Sequence, residues 1–526
     1  MKRLFITTLT LLLLAFASPA QTNLDSLMAA REEYFFTLTM DHPEEVHALT
    51  RLCSIDSRDG LVLTCYANPE QYHQLLEKGY QPTLLTPPSL QQTFAMWDGS
   101  HRDAFDWDTY PTYEAYCDMM RQFAEEHPDR CTYMELGTLD SGRKLLCCRL
   151  NNGQPDGKPK FLYTSTIHGD ELTGMMLMLR LIDELTSSND PRILRIINNL
   201  DLFISPNTNP DGTYHGGNHT VSGARRTNAN NADLNRNYPD FDDGPHPDGR
   251  PYQPETLMMM DLADQYPFTM AANFHGGAEV LNYPWDTYQP LHADDDWWRH
   301  VCREYADLVH QHDTLYMSIY DDGIVNGYVW YPIYGSRQDY MNYYQHCREL
   351  TIECSAPYTP NPSTLPMYWT YNHESMLCYL EQCLNGIHGT VTDAETGEPL
   401  AADITIANHD HHGSAVSSHL PAGDYHRPIK GGTYEVTYSS RGYLPQTHLV
   451  TVNDNEAVTL DVHLSKWLST LETLPETPPH SVYRLTNLLG QTIKTGVVGD
   501  LNLSELPSGI YFLVFDHRTQ KIVIQR

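Results

Sequence analysis

Residues 166–174 read Thr-Ile-His-Gly-Asp-Glu-Leu-Thr-Gly and set His168 three residues before Glu171, directly after an apolar run at 161–167. An imidazole and a carboxylate so placed are two of the three protein ligands that a catalytic zinc takes, with the fourth position left open for water. His275, in Asn-Phe-His-Gly-Gly at 273–277, offers the third. A metal so held lowers the pKa of its water to about 7 and polarises a carbonyl. A separate carboxylate must then accept the proton of that water, and Glu353 in the late run 349–355 (ELTIECS) is placed to do so. Arg226 and Arg236, ten residues apart in 225–240 (RRTNANNADLNRNYPD), bring two planar guanidinium groups suited to an oxyanion or a carboxylate. Each piece has an ordinary alternative: a satisfied strand-end histidine, an ion-paired strand glutamate, a surface turn at Asn235-Arg236. Their conjunction is what points to chemistry.

Side chains so scattered converge only where a sheet brings strand ends to one rim. The sequence supplies that sheet. From 108 to 384, strand-like runs (Cys131–Leu136, Lys144–Leu150, Phe161–Ile167, Leu200–Ser205, Phe268–Phe274, Leu350–Cys354) alternate with helical ones (from Pro111, Glu171–Ser187, Asp294–His312). The pattern predicts one large α/β domain with helices flanking a mixed sheet. Residues 22–105 predict a small α/β domain. In it, strands Tyr34–Thr39 and Leu61–Tyr66 flank a helix near Pro43–Leu52, and Asn68-Pro69-Glu70 starts a helix that Gly79 stops. Its position suggests a pro-like or accessory module. After Gly386 the pattern changes to short strands at 389–393, 403–407, 433–438 and 458–464, a small β-sandwich over 385–465. A Pro/Thr-rich linker at 466–480 leads to a last all-β module at 481–526, expected to be a second small sandwich.

The chain has 526 residues, too many for one core. Lys and Arg total 34 against 67 for Asp and Glu, a formal charge of −33. Nucleic acid is excluded as a partner, since no counterion-releasing basic face can be assembled from this balance. Lys2-Arg3, the apolar run 4–16 and Ser18-Pro19-Ala20 read as a secretion signal over 1–20, and no other segment is expected to span a membrane. Eleven cysteines in an exported chain permit some disulfides. Cys147 and Cys148 are neighbours in a strand and should face opposite sides. The run Asn408-His-Asp-His-His412 reads as a solvated turn with at most adventitious metal binding.

In order, His-Gly-Asp-Glu171, Asn209-Pro-Asp-Gly212, Asp233-Leu-Asn-Arg-Asn-Tyr238, the run 275–286 (HGGAEVLNYPWD) and Thr351-Ile-Glu353 resemble the motifs of the zinc carboxypeptidases, in particular the carboxypeptidase N/E subfamily. Residues 386–465 resemble the transthyretin-like domain that follows catalysis in that subfamily. The resemblance implies one Zn²⁺ per chain on His168, Glu171 and His275, Glu353 as general base, and Arg226 on the tetrahedral oxyanion. It implies that Asn235 and Arg236 grip the terminal carboxylate and that Tyr331 closes over the substrate. Asp286 stands where members preferring basic residues carry an aspartate, with Gln338 near the pocket base. Ser336-Arg-Gln-Asp339 departs from a common Gly-Met-Gln-Asp, and the charge of Arg337 is expected at the pocket mouth. The runs 485–496 (LTNLLGQTIKTG), 501–515 (LNLSELPSGIYFLVF) and 521–526 (KIVIQR) resemble the sorting domains of Bacteroidetes type IX secretion cargo.

The expectation is a zinc carboxypeptidase that hydrolyses the C-terminal bond of peptides and proteins and releases Lys or Arg. It is secreted or displayed by a Gram-negative bacterium via the periplasm, with the secretion machinery as partner of the last module. Two alternatives stay open: a zinc peptidase of cell-wall peptides, and a non-enzymatic surface binding protein on the same scaffold.

Overall fold

The computed structural model describes residues 19–100, 105–466, 481–497, 501, 506–507, 509–515 and 518–524. Most of the expected secretion signal and nearly all of the 466–480 linker lie outside the described residues. A helix at Pro19–Arg31 begins just ahead of the expected end of that signal. No described helix is long and apolar enough to cross a membrane.

Four strands build the first domain: β1 (Tyr34–Thr39), β2 (Ser54–Asp59), β3 (Val62–Ala67) and β4 (Thr83–Leu84), in the order β2-β3-β1-β4 and antiparallel throughout. Asn68 caps the helix Pro69–Glu77 by a reciprocal box with Gln71, and Gly79 turns the chain at φ +90°. β2 was not expected. Its sequence, Ser-Ile-Asp-Ser-Arg-Asp, has one apolar residue in six and no strand alternation. β5 (Met96–Trp97) then pairs with β6 (Tyr110–Pro111) and staples this domain's end to the next.

The central sheet holds β7 (Cys131–Thr138), β8 (Lys144–Leu150), β9 (Lys160–Ser165), β10 (Asp201–Ser205), β11 (Met270–His275), β12 (Glu279–Tyr283), β13 (Ile324–Asn326) and β14 (Arg348–Cys354). Its order is β13-β12-β14-β11-β9-β10-β8-β7. The middle strands β10, β9, β11 and β14 run parallel, and β7, β8 and β12 oppose their neighbours, so the sheet is mixed as expected. Helices cover both faces. Those at Tyr113–Glu126, Thr173–Ser187, Asp295–His310 and Leu365–Gln382 pack on the side of Cys148, Tyr163 and Phe274. The helix Pro254–Gln265 packs on the side of Cys147, Leu162 and Ala271. Alternate strand residues thus serve opposite cores, and Cys147 and Cys148 part as predicted. All eleven cysteines are free.

Residues 386–464 form two facing sheets around Ile387, Val391, Ile404, Tyr438 and Val462. This sandwich includes short strands at Val416–Ser417 and Asp424–Arg427 that the sequence did not announce. The last module departs from expectation: its described residues form one antiparallel four-stranded sheet, not a sandwich. The turn at 408–412 also differs. His409 reaches Asp294 of the central domain, and Asp410 pairs within the β domain with Arg427, which itself holds Asp294; two buried arginines there, Arg348 and Arg427, require carboxylates. Asn408, His411 and His412 remain exposed.

Candidate active site

The parallel strands end at one rim. His275 closes β11 and Glu353 lies beside it in register on β14. His168 follows β9 by three residues. Thr166 enters that loop at φ 61°, an uncommon region for a β-branched residue and a mark of local strain at a site. The Asn209-Pro-Asp-Gly turn pins the loop: Asn209 Nδ2 donates to the carbonyls of Ile167 (3.1 Å) and Arg226 (3.2 Å). Gly169 is required there, since a Cβ would lie 2.4 Å from the Gly212 carbonyl carbon.

His168 Nδ1 lies 2.7 Å from Glu171 Oε1, and His275 Nδ1 lies 2.9 Å from Glu171 Oε2. The two Nδ1 atoms are 3.2 Å apart, and all three residues are buried. Their outer nitrogens are occupied: His168 Nε2 faces Asp233 Oδ1 at 3.1 Å, and His275 Nε2 faces Asn273 Nδ2 at 2.8 Å. Outer partners of this kind fix the rings of metal-binding histidines. Burial pushes His275 down to about 4, which keeps the neutral form a metal needs. Burial and Arg226 oppose a proton on His168, but Glu171 and Asp233 outweigh them and raise its pKa. The spot therefore draws positive charge. The donor set, two imidazoles and one carboxylate with ligand atoms within 4.8 Å of one another, fits a zinc of the kind that keeps one position open.

Glu353 faces this set, and its buried Oε2 has no hydrogen-bond partner among the described residues. Burial, then the charges of Glu171 and Asp56, push its carboxyl well above the usual range. Arg226 donates from Nε to Asp233 (3.1 Å) and from Nη1 to Asp56 (3.0 Å) and Glu171 (3.3 Å). Arg236, Asn235, Tyr331 and Asp286 line the same cavity. Asp286 Oδ1 accepts from Gln338 Nε2 (3.0 Å) and Asn282 Nδ2 (3.2 Å). Gln338 Oε1 in turn accepts from the backbone N–H of Thr351, which fixes it behind Asp286. All ten residues singled out in the sequence thus meet at one place.

Arg337 does not reach the pocket mouth. It is 1% exposed, and its Nη2 donates to Glu349 at 2.9 Å on the core side of β14. Its other arm bonds the Thr164 hydroxyl, which donates to Asn273, the partner of His275. Arg337 thereby supports a histidine of the site from behind. Sequence reasoning also missed Asp233, Asn273, Tyr358 and Asp56. Asp233 had a signal, two residues before Asn235 in a polar turn. Asn273 had one as well, on the same strand face as His275 at the period of two.

The family pattern described as "Zinc carboxypeptidase" matches residues 116–375, and "Carboxypeptidase regulatory-like domain" matches 386–465. Mouse carboxypeptidase D is 34% identical over 368 residues, covering 66% of this chain and 26% of the relative. The mouse carboxypeptidase N catalytic chain is 30% identical and covers 67% of this chain and 85% of the relative. The chain spans about a quarter of the length of the carboxypeptidase D relatives. Among solved structures, carboxypeptidase A from Helicoverpa armigera superposes with a TM-score of 0.51 at 19% identity, over 66% of this chain and 97% of that one. The protein belongs to the zinc carboxypeptidase family. Its catalytic α/β domain is followed by the family's regulatory-like β domain.

Proposed function

We propose that this protein is a zinc-dependent carboxypeptidase of the N/E type that removes Lys or Arg from the C-termini of peptides and proteins. The observation that carries the reading is the unpartnered carboxylate oxygen of Glu353 facing the His168/Glu171/His275 set inside one buried cavity. Bound zinc would supply an acidified water and a polarised scissile carbonyl. Glu353 accepts the proton of the attacking water and returns it to the leaving amine. Arg226 points its guanidinium at the developing oxyanion, an interaction that strengthens as charge grows. Asn235 and Arg236 hold the terminal carboxylate, which makes the enzyme act from the chain end, and Tyr331 closes the site. Asp286 receives a basic side chain through a charge-assisted hydrogen bond. A Phe or Leu end leaves that buried carboxylate unpaired, so discrimination of at least about a hundredfold in kcat/KM is expected.

The test is kcat/KM on matched peptides ending in Arg, Lys, Phe and diaminopimelate, with and without a chelator, together with zinc content. Chelation should abolish turnover. Glu353→Gln should keep zinc and lose about a hundredfold or more in kcat, while His275→Ala should lose both. Preference for Phe or for diaminopimelate, or near wild-type turnover by Glu353→Gln, would refute the reading.

The same proposal places the protein outside the cytoplasm, exported by the 1–20 signal and carried across the outer membrane by residues 481–526. That module's separate small core of Tyr483, Leu485, Leu513 and Phe515 suits a detachable sorting unit.

A further inference from the structure

The seam between the catalytic and β domains encloses a cavity of about 60 Å³. Lys160, on its wall, opens β9, and Thr269, also on its wall, immediately precedes β11. The opposite ends of these two strands lead to His168 and His275, so at about 3.3 Å per residue the cavity lies roughly 20 Å from the active site. Lys158, Lys160 and His346 line it from the catalytic side; His419, Asp424 and His426 line it from the β domain. Basic groups are scarce in this chain, where 34 Lys and Arg stand against 67 Asp and Glu. Here the balance inverts: two ammonium groups and three imidazoles stand with one carboxylate.

That carboxylate is already engaged. Asp424 Oδ2 lies 3.1 Å from His426 Nε2, and His426 Nδ1 lies 2.9 Å from Nδ1 of His388, its cross-strand partner. Burial raises the Asp424 carboxyl, but the bond and charge of His426 and the charge of Lys160 outweigh it and hold the group below its ordinary range. The basic groups are not used up. Lys158 Nζ gives one hydrogen to the Asn152 carbonyl at 2.7 Å and keeps two. Neither the Lys160 ammonium nor the His419 ring has a hydrogen-bond partner among the described residues. Burial opposes charge on Lys158 and on His419, and for His419 Lys160, His426 and His346 add to it against Asp424. An added negative charge would relieve both groups.

A cation does not fit. Among the described residues only His168, Glu171 and His275 bring three ligand atoms within reach of one metal ion, and Lys160 repels a cation here. We infer that the cavity binds a free tetrahedral oxyanion, sulfate or inorganic phosphate, which clamps the regulatory-like domain to the catalytic one. The space holds about four waters, the size of such an ion. Its oxygens meet donors from both sides of the seam: Lys158 and Lys160 from the catalytic domain, His419 from the β domain. Bonds of this charge-assisted kind are about twice as strong as neutral ones. The ion needs both walls, so it binds the docked arrangement alone and stabilises it by mass action. The inference does not depend on which substrate the active site takes.

The experiment uses the full, zinc-loaded chain at constant ionic strength, with chloride exchanged for sulfate or phosphate. Calorimetric titration should find one ion per chain with a Kd on the order of a millimolar or tighter. The melting temperature should rise by about 2 °C at ten times that Kd. Lys160→Met and His419→Gln, with folding verified by circular dichroism and zinc content unchanged, should each weaken binding by about tenfold or more. Both ions also stabilise proteins in general by exclusion from the surface. That effect would raise the melting temperature equally in wild type and both variants, and this result overturns the inference. Binding that survives both variants but is lost in Arg236→Gln places the ion on the active-site guanidinium groups and overturns it as well. Glycerol 3-phosphate binding as tightly as inorganic phosphate would assign the cavity to a phosphoryl group on a larger molecule and overturn the free ion. Absence of any binding up to about 50 mM sulfate leaves the cavity to water and ends the proposal.

Discussion

Asp286 shows how much a single buried side chain decides. It is 1% exposed, and burial pushes its carboxyl up to about 6, against hydrogen bonds from Ser336 and Asn282 that favour the charge. A carboxyl raised in this way is ionised above that pH and neutral below it. In the proposed function the charged form attracts Lys or Arg, so a preference for basic ends should be full at pH 8 and fall as pH drops through about 6. The sign for stability is the opposite. The folded pKa lies above the unfolded one, so this group favours folding more as pH falls through the same window. The ratio of kcat/KM for Arg and Phe ends, followed from pH 8 to 5 in wild type and Asp286→Ala, checks the point. A wild-type ratio flat across that range, or a mutant ratio as high as wild type, contradicts it. These residues were legible together and not one by one: each has an ordinary alternative, but His168, Glu171, His275 and Glu353 have no apolar substitute for their joint task. Asp56 was illegible for the converse reason. One aspartate in a polar run carries no mark, and only a bulge opposite Cys65 and Thr64 aims it.

At the scale of elements, hydrophobic pattern gave most of the central sheet to within a residue or two. Lys144–Leu150 was placed without error, and β9, β10 and β14 shifted only at their ends, because strands buried on both faces read as apolar runs. Helix Thr173–Ser187 begins two residues after the expected start, since Glu171 is held in the turn by the histidines instead of opening the helix. The strands missed were mostly short or polar: β2, β4, β5, β6, β12, β13, Val416–Ser417 and Asp424–Arg427, with the seven-residue Gln446–Val452 as the exception. Close approach was equally invisible. Gly327 opens the short helix Gly327–Trp330, and a Cβ on it would stand 2.0 Å from Asp286 Oδ1 and 2.8 Å from Asn282 Oδ1. Neither oxygen can retreat freely, since Asp286 is held by Gln338 and by its backbone bond to Asp339. Gly327→Ala should therefore displace Asp286. It should lower kcat/KM for Arg and Lys ends by about tenfold or more, as misplacement of about 1 Å can cost a hundredfold. Zinc content should stay unchanged. Equal losses on Phe and Arg ends, or loss of zinc, would show that the clash spreads beyond the pocket.

At the scale of the whole molecule, the regulatory-like domain is fastened to the catalytic one by charge buried in the seam. Asp294, at the start of helix Asp295–His310, is fully buried and pairs with Arg348 of β14 at 2.7 Å. It also pairs with Arg427 of the β domain at 3.0 Å, and Arg427 in turn holds Asp410 at 2.7 Å. Both arginines are 1% exposed. One carboxylate thus serves two guanidinium groups from two domains, with His409 adding a contact at 3.5 Å. Such a pair contributes little relative to an apolar seam, but removing one partner strands the others. Asp294→Asn leaves two buried cations with Asp410 alone, and should destabilise by about 3–5 kcal/mol. A melting temperature lower by on the order of 10 °C follows for a unit of this size. The seam also predicts how unfolding proceeds. Residues 113–464 of the wild type should melt as one calorimetric transition, because parting the domains breaks the buried Asp294–Arg427 pair and opens the seam to water. In Asp294→Asn the β domain should separate as an earlier transition of its own. Arg348 lies five residues before Glu353 on the same strand, so turnover should fall only modestly, within about threefold, while the fold holds. A variant that melts with wild type, in one transition, would show that the apolar contacts of the seam and not its charges join the two domains.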